Sequence, residues 1–164
     1  MNRARYSEKI PGMLQFVDHL NIVVSDLERS VAFYTDLLGL EVTKRAVLEG
    51  DWIESIVGLA GVQADCVYLQ PPGGGPRIEL LRYRAPEGAA LPETAMANTV
   101  GLRHVAFRVT DIEAMHARLT AAGVRFIGPP TAVPGSAVRH AEGQKRLCYF
   151  HDPDGTLLEL AEYR

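Results

Sequence analysis

The chain has 164 residues, of which 47% are hydrophobic and 23% charged, which is enough apolar material for one compact core or two small modules. Its formal net charge of -3, without any block of Lys and Arg, argues against a nucleic-acid-binding protein. Its two cysteines, Cys66 and Cys148, form no CxxC motif, so we predict small buried thiols in a reducing cytoplasm and no disulfide framework.

The predicted elements begin after a polar arm over residues 1–15. The stretch MNRARYSEKIPGM has no apolar run, so it predicts neither a signal peptide nor a membrane anchor. The following HLNIVV alternates between polar and apolar residues, which predicts a strand. Leu20 and Ile22 would lie on one face of this strand, with His19 and Asn21 on the other.

A helix and further strands complete the first half of the chain. Ser25, with Glu28 three residues later, has the spacing of a capping box, and apolar residues at helical intervals continue to a stop at Gly39. The segments LEVTKRAV, ADCVYLQ and RIELLRY are predicted strands, and the last of them contains Glu79.

The second half of the chain repeats this order. The stretch GLRHVAFRVTDIEAMHARL matches FVDHLNIVVSDLERSVAFY, so that His104 falls on His19 and Thr110 begins a second capping box. The stop glycines Gly39 and Gly123 are one residue closer together than the two histidines are, which indicates a single-residue insertion in one of the helices.

The ends of the two copies also match. LLELAEY aligns with RIELLRY and places Glu159 on Glu79, and the turns QPPGGGP and HDPDG before them predict hairpins. We therefore predict an α+β fold of two tandem βαβββ modules, over residues 16–84 and 100–164, joined by a linker over residues 85–99. Neither module has enough helix to cover its sheet, so the two sheets should pack side by side as one curved half-barrel domain.

The repeat places one histidine and one glutamate of each module on the sheet face opposite the apolar residues. A pseudo-twofold axis would then gather four side chains in the hollow of the half-barrel, namely His19, Glu79, His104 and Glu159. The sequence leaves two arrangements open, a metal site within one chain and a metal site shared across a dimer. Two imidazoles and two carboxylates are a typical donor set for one divalent metal ion, although they do not distinguish Zn, Ni, Co, Mn and Fe.

These residues and motifs resemble the vicinal oxygen chelate superfamily, which contains glyoxalase I, methylmalonyl-CoA epimerase, fosfomycin-resistance proteins, extradiol dioxygenases and bleomycin-resistance proteins. DHLNIVVSDLERSVAFYTDLLG is similar to the family's opening strand and helix, and DPDGTLLEL to its closing hairpin, so the resemblance covers residues 16–163. It implies that the two histidines and two glutamates are the metal ligands and that the protein forms a homodimer.

The chemistry of such a site suggests candidates for a general base. Two ligand positions left open on the ion would accept adjacent oxygens of a small substrate, whose carbonyl would then be polarised. Glu159 would serve as the base by leaving the metal, as the resemblance to glyoxalase implies. Glu54 and Glu49, in VLEGDWIESIVG, are further candidates, unless they belong to a solvated loop or edge strand.

Three residues are candidate substrate contacts. Arg108 and Asn21 share the histidine faces of their strands. A fixed cation at Arg108 would bind a substrate carboxylate or phosphate, or would form a salt bridge at the mouth of the barrel. Trp52, the only tryptophan, either lines the cavity or fills the core.

We therefore predict a cytoplasmic, metal-dependent lyase, isomerase or epimerase. It would bind a small molecule through vicinal oxygens and transfer a proton by an enolate-type mechanism. There are two alternatives, an extradiol-type Fe(II) dioxygenase and a bleomycin-resistance-like protein that sequesters a small molecule without turnover. The expected partners are a small-molecule substrate and a second copy of the chain, with no nucleic acid and no membrane.

Overall fold

Two open four-stranded sheets form the framework of the chain, which the computed structural model describes over residues 12–92 and 96–164. The first sheet has the order β1-β4-β3-β2, with β1 (His19–Val23), β2 (Glu41–Glu49), β3 (Gln63–Gln70) and β4 (Arg77–Ala85). The second has the order β5-β8-β7-β6, with β5 (His104–Arg108), β6 (Thr131–Ala132), β7 (Lys145–His151) and β8 (Leu157–Tyr163). In each sheet the first strand runs parallel to the last, and the other neighbours are antiparallel.

The predicted α+β architecture of two matching units is confirmed. We call residues 19–85 module 1 and residues 104–163 module 2. Residues 1–11 of the predicted arm and residues 93–95 of the predicted linker lie outside the described residues.

Three helices connect the strands, and they are α1 (Leu27–Ala32), α2 (Asp51–Val57) and α3 (Ile112–Ala121). The N-caps of α1 and α3 are Asp26 and Asp111, whose carboxylates accept the backbone N–H three residues later at 3.1 and 3.0 Å. The capping boxes predicted from Ser25 and Thr110 were therefore wrong by one residue. The Ser25 hydroxyl donates to Asp154 of module 2 instead. Within the described residues, none of the helices is long and apolar enough to cross a membrane.

The one-residue insertion that the glycine positions indicate lies at the end of α1. There the helix continues as a π-helical turn over Phe33–Leu37, and this wider turn accommodates an extra residue. In module 2 the helix α3 runs to Ala121 as an ordinary α-helix. The helical segments of the two modules end at Gly39 and Gly123. The φ angles of these glycines, 77° and 82°, lie in the left-handed region that favours glycine.

Helix α2 is an element of module 1 that the sequence pattern did not predict. It occupies the segment interpreted as a loop or edge strand, and it ends at Gly58 in the left-handed conformation. Its buried residue Ile53 packs with Val62, which directly precedes β3, and with Ala64 of β3. Module 2 instead has the two-residue strand β6 followed by a loop over residues 133–144.

One hydrophobic core joins the two modules. It contains residues of α1, α3 and both sheets, including the fully buried side chains of Tyr34, Leu80, Ile112, Leu119, Phe150 and Leu158. Each such side chain contributes about 1.5–3 kcal/mol through its removal from water. Because strand residues alternate between faces, the histidines lie on the face of each sheet opposite this core, which we call the site face.

A turn of module 2 fixes the start of the first helix of module 1. Asp152, in the turn between β7 and β8, is buried and accepts a hydrogen bond of 3.1 Å from the Tyr34 hydroxyl. Its other oxygen accepts two backbone N–H groups of the same turn, at 2.9 and 2.7 Å. Asp154 then accepts hydrogen bonds from Ser25 and pairs with Arg29 at 2.6 Å. These contacts hold the two modules in a fixed relation.

Candidate metal centre

The first His–Glu pair lies on adjacent parallel strands of module 1. In the register of β1 and β4, Asn21 lies opposite Glu79, and His19 is two residues earlier on the same face. The Nε2 atom of His19 is 3.4 Å from Oε2 of Glu79. The imidazole and the carboxylate therefore face a common point on the site face.

The second pair occupies the same place in module 2. Glu159 lies opposite Ala106 on β5, two residues after His104. The Nε2 atom of His104 is 3.3 Å from Oε2 of Glu159. The Glu159 side chain is the more deeply buried of the two glutamates, with 3% of its surface exposed against 12% for Glu79.

Hydrogen bonds from neighbouring strands orient Glu79. Tyr68 lies directly opposite it on β3 and donates its hydroxyl to Oε1, while Asn21 Nδ2 donates to Oε2 at 3.0 Å. Burial raises the pKa of the Tyr68 phenol, and the Glu79 carboxylate raises it further. Tyr68 is consequently a protonated hydrogen-bond donor at neutral pH and not a base.

The imidazole of His19 has a carboxylate partner on its other nitrogen. Asp18 Oδ2 lies 2.8 Å from Nδ1 of His19, and Arg77 lies 2.6 Å from the second oxygen of the same carboxylate. The hydrogen bonds from His19 and Arg77 lower the pKa of Asp18, which keeps it ionised. A carboxylate at Nδ1 favours the tautomer in which Nε2, facing Glu79, carries the lone pair.

Module 2 surrounds its glutamate with a tyrosine and a lysine. Tyr149 lies opposite Glu159 on β7, its ring is 5.1 Å from that of His104, and burial followed by the Glu159 charge raises its pKa. The Lys145 ammonium is 2.6 Å from Oε1 of Glu159. Burial disfavours the charged form of Lys145, but the Glu159 carboxylate outweighs it and the pKa of Lys145 is raised.

The cysteines do not add thiolates to the donor set. Cys66 Sγ lies 3.6 Å from Oε1 of Glu79, and burial next to this carboxylate raises its pKa to about 12. Burial raises the pKa of Cys148 to about 11. Both are free, buried thiols, so the available metal donors are imidazole nitrogens and carboxylate oxygens.

Each pair has the spacing of two ligands of one ion. Two donors bound at about 2.1 Å lie about 3.0–3.4 Å apart when the angle between them is octahedral to tetrahedral. The observed separations are 3.4 and 3.3 Å. The Oε1 atom of each glutamate contacts a neighbouring side chain, Tyr68 in module 1 and Lys145 in module 2, whereas Oε2 faces the imidazole. Outer hydrogen bonds of this kind orient a carboxylate that binds a metal ion. The donors present therefore fit a divalent ion.

The two pairs do not meet within one chain. Over residues 12–92 and 96–164, no group of three or more His, Cys, Asp or Glu side chains could hold one ion. One chain thus has two matching half-sites, and of the two arrangements that the sequence leaves open, a site shared across a dimer is the one compatible with four ligands. The repeat defines equivalent positions, but it does not define how two site faces are oriented towards each other. The four-ligand assignment stays a prediction.

The candidate bases and Trp52 have structural contacts of their own. Glu54 Oε1 accepts the backbone N–H of Gly61 at 2.9 Å and so closes the turn after α2. Glu49 is exposed at the end of β2, and Trp52 is 55% exposed on α2. None of the three contacts either His–Glu pair in the described part of the chain, and their assigned roles stay predictions.

The other predicted substrate contacts lie on the site faces. Asn21 is engaged with Glu79, so its observed contact orients the glutamate. Arg108 is exposed on β5, and its guanidinium lies 4.8 Å above the ring of Tyr163. No pairing of Arg108 with a carboxylate occurs among the described residues.

Three residues of this centre were missed from the sequence, namely Tyr68, Tyr149 and Lys145. The tyrosines lie opposite the two glutamates in the strand ladders, so a matched register of the third strands would have identified them. Lys145 has no counterpart in the first copy, because Ala64 occupies its position beside Tyr83.

Comparison with known proteins identifies the family of the chain. The model of the Glyoxalase/Bleomycin resistance protein/Dioxygenase superfamily matches residues 16–160. A 2-epi-5-epi-valiolone epimerase from Actinomyces sp is 30% identical over 92% of this chain and 80% of its own length. An ethylmalonyl-CoA/methylmalonyl-CoA epimerase from Cereibacter sphaeroides is 29% identical over 92% of this chain and 99% of its own length. The crystal structure of a glyoxalase family protein from Bacillus cereus has a TM-score of 0.79 and 32% identity, and covers 94% of this chain and 98% of that one. The chain therefore belongs to the Glyoxalase/Bleomycin resistance protein/Dioxygenase superfamily, in agreement with the resemblance of its motifs to that group.

Proposed function

We propose that this chain is a metal-dependent enzyme of the isomerase or epimerase type, which moves a proton at a carbon next to a carbonyl group. The observation that carries the proposal is the pair of matched His–Glu contacts, at 3.4 and 3.3 Å, each with its second carboxylate oxygen held by a neighbour. The two epimerases among the relatives support the same reaction class.

Four residues would hold the ion, namely His19, Glu79, His104 and Glu159. A divalent ion bound there would supply Lewis-acid polarisation of the substrate carbonyl. The phenols of Tyr68 and Tyr149 would remain protonated and donate hydrogen bonds, because their pKa values are raised. Proton abstraction would therefore fall to a carboxylate, and Glu159, Glu54 and Glu49 are the candidates.

A second copy of the chain would complete the centre. Within the described residues, the two His–Glu pairs of one chain are separate. A site with all four ligands therefore requires that the module 1 pair of one copy meets the module 2 pair of a second copy. The site face of module 1 carries the apolar side chain of Val23, which is 53% exposed and which an interface between two copies would cover. We infer a homodimer with shared metal sites.

The test combines metal analysis with hydrogen exchange. The purified protein should contain or take up a divalent ion, and in deuterated water it should exchange the α-hydrogen of a substrate in a metal-dependent way. The substrates to screen are α-hydroxy and α-keto carbonyl compounds and acyl-CoA thioesters. Exchange that is equally fast in metal-free and metal-loaded protein would refute the proposal.

Variants would separate the ligand from the base. Glu159→Gln should lower both metal content and exchange. Glu54→Gln or Glu49→Gln should retain the metal and slow exchange by about 10²–10⁴-fold if that residue is the base. Glu41→Gln, at the other end of β2, is the matched control and should change neither. Oxygen consumption with a catechol by the Fe(II)-loaded protein would favour a dioxygenase, and tight binding without turnover would favour a sequestering protein.

A further inference from the structure

We propose that module 2 binds an oxyanion of the substrate, a carboxylate or a phosphate, between Arg108 and Lys145 next to the His104–Glu159 pair. This inference rests on the proposed function, because it assigns the substrate class of the same site. It rests on a local arrangement of three strands, in which both cations lie against one aromatic ring.

The ring belongs to Tyr163 at the end of β8. The Arg108 guanidinium is 4.8 Å from its centroid, and the Lys145 ammonium is 5.9 Å from it. Contact with the ring face holds the guanidinium in position without neutralising it. Arg108 is exposed and Lys145 is 17% exposed, so the two cations differ in burial but border the same aromatic side chain.

The charges around this ring do not balance. Glu159 is the one carboxylate that contacts Lys145, and within the described residues none contacts Arg108. Glu162, on the opposite face of β8, is buried and pairs with Arg164 at 2.8 Å. Of these two cations, only Lys145 has a carboxylate partner among the described residues, and that carboxylate is also a proposed metal ligand. A further anion would find an excess of positive charge there.

The fold does not require these cations. In module 1 the residue opposite Tyr83 is Ala64, where Lys145 lies opposite Tyr163 in module 2. Val23 of module 1 occupies the strand position that Arg108 has in module 2, each at the end of its first strand. The same backbone is thus built with two small apolar residues, so a requirement of the fold does not explain the cations.

Strand β5 carries both Arg108 and the histidine of the pair. His104 and Arg108 are four residues apart on one face of β5, which separates their Cα atoms by about 13 Å. A small molecule could therefore contact His104 through its chelating oxygens and Arg108 through its anionic group.

The chemistry of the two side chains defines the ligand class. A guanidinium presents paired donors that match the oxygens of a carboxylate or phosphate, and an ammonium adds a point charge. A neutral sugar or aromatic substrate would gain nothing from this arrangement. We therefore expect an anionic substrate, with a carboxylate or phosphate group besides its chelating oxygens.

The test measures anion binding on metal-free protein, so that chelation to a metal cannot contribute. Inorganic phosphate and acetate are titrated separately at fixed ionic strength, and the resonances of the Arg108 side chain and of β5 and β7 amides are followed by NMR. We expect saturable shifts at these positions. The ratio of the two affinities then shows whether the subsite is suited to a phosphate or to a carboxylate.

Variants assign the binding to the two cations. Arg108→Gln and Lys145→Gln should each weaken binding of the preferred anion by about tenfold or more, the effect of losing one charge-assisted hydrogen bond. Arg84→Gln is the matched control, because it removes one equally exposed arginine of module 1, and it should weaken binding by less than about twofold. If either Gln variant fails to fold, Arg108→Lys and Lys145→Arg retain the charge and should retain binding.

Two results would overturn the proposal, namely no saturable binding of either anion, or equal weakening by Arg84→Gln and the two site variants. Its failure is distinct from that of the proposed function. Anion binding without any metal uptake would leave this subsite standing and remove the metal-dependent reaction. Metal uptake and metal-dependent hydrogen exchange without anion binding would support the metal-dependent reaction and remove this subsite.

Discussion

The two modules differ most at the end of the sheet where β4 and β8 finish. In module 1, Tyr83 packs against an apolar cluster that contains Ile53 of α2 and Val62 and Ala64. In module 2, the matching Tyr163 is surrounded by basic side chains, with Arg108 and Lys145 near its ring and His140 at 5.3 Å. This end of the sheet is therefore covered by hydrophobic side chains in module 1, whereas in module 2 it carries basic side chains.

The strands at the sheet edges account for this difference. Module 1 ends in the nine-residue strand β2 and the helix α2, which together supply the apolar cover. Module 2 has only the two-residue strand β6 and a loop over residues 133–144 at the same place. The side chain of this loop that contacts the Tyr163 ring is His140, at 5.3 Å between the ring centroids.

At the His–Glu pairs, by contrast, the modules agree in residue type, strand register and distance. Both glutamates also face a tyrosine on the third strand. The repeated part of the molecule therefore corresponds to the shared chemistry of the proposed metal centre, and the part that differs corresponds to the proposed recognition of one particular substrate.

The largest expected effect tests whether both modules supply metal ligands. His19→Ala and His104→Ala should each weaken metal binding by more than about 100-fold, which exceeds the loss typical of an outer-shell residue. Metal content after dialysis against a graded chelator would measure it. His116→Ala is the control, because that ring lies on α3 against Phe126 at 4.2 Å and should not affect the metal. A loss from one histidine variant only would mean that a single module holds the ion.

The next effect concerns helix α2, which covers the apolar cluster around Tyr83 in module 1 and has no counterpart among the described residues of module 2. Ile53→Ala should lower the free energy of unfolding by about 2–3 kcal/mol, because it removes a buried side chain between α2 and β3. Ile56→Ala on the same helix is 71% exposed and should change it by less than about 0.5 kcal/mol. Urea unfolding would measure both. Equal effects would show that α2 is not anchored through Ile53.

A smaller effect tests whether the tyrosines are equivalent. Tyr68→Phe and Tyr149→Phe should each weaken metal binding by about tenfold, because each removes a hydrogen bond that orients a ligand glutamate. Tyr83→Phe, on the strand of Glu79 but within the apolar cluster, is the control and should leave metal affinity unchanged. If Tyr149→Phe has the weaker effect, Lys145 alone suffices to hold Glu159.

The His–Glu pairs could be predicted from the sequence because duplication repeats a residue type at a fixed strand position. The same comparison of copies indicated a single-residue insertion in one of the two helices, which the structure places in module 1 as the π-helical turn Phe33–Leu37. Both predictions depend on local spacing, which a repeated sequence displays directly.

The predictions that failed depend on contacts between distant segments. Ser25 does not cap α1 because its hydroxyl donates to Asp154, which is far away in sequence, so Asp26 is the cap. Lys145 has no counterpart in the first copy, and a lysine at the start of a strand is ordinarily solvated. Whether the four ligands meet within one chain or across a dimer stayed open from the sequence, because it depends on how the modules dock and the repeat carries no information on that.

The smallest expected effect concerns the contacts that dock the modules. Burial disfavours ionisation of Asp154, but hydrogen bonds from Ser25 and the charge of Arg29 outweigh it, so its pKa is lowered in the folded protein. A lowered pKa stabilises the folded state above the pKa of the unfolded chain, and this contribution is lost as the pH falls through the folded value. Asp154→Asn should therefore reduce the free energy of unfolding by about 1 kcal/mol at pH 7.

The pH dependence distinguishes this charge effect from a packing effect. At a pH below the lowered pKa of the folded state, where Asp154 is protonated in both states, the stabilities of Asp154→Asn and the parent should converge. Other carboxylates titrate in both proteins, so the difference between their urea-unfolding curves isolates this one group. Asp51→Asn, an exposed aspartate at the start of α2, should show almost no difference at either pH. A deficit in Asp154→Asn that persists unchanged at low pH would mean that side-chain shape, and not the charge shared with Arg29, joins the two modules at this turn.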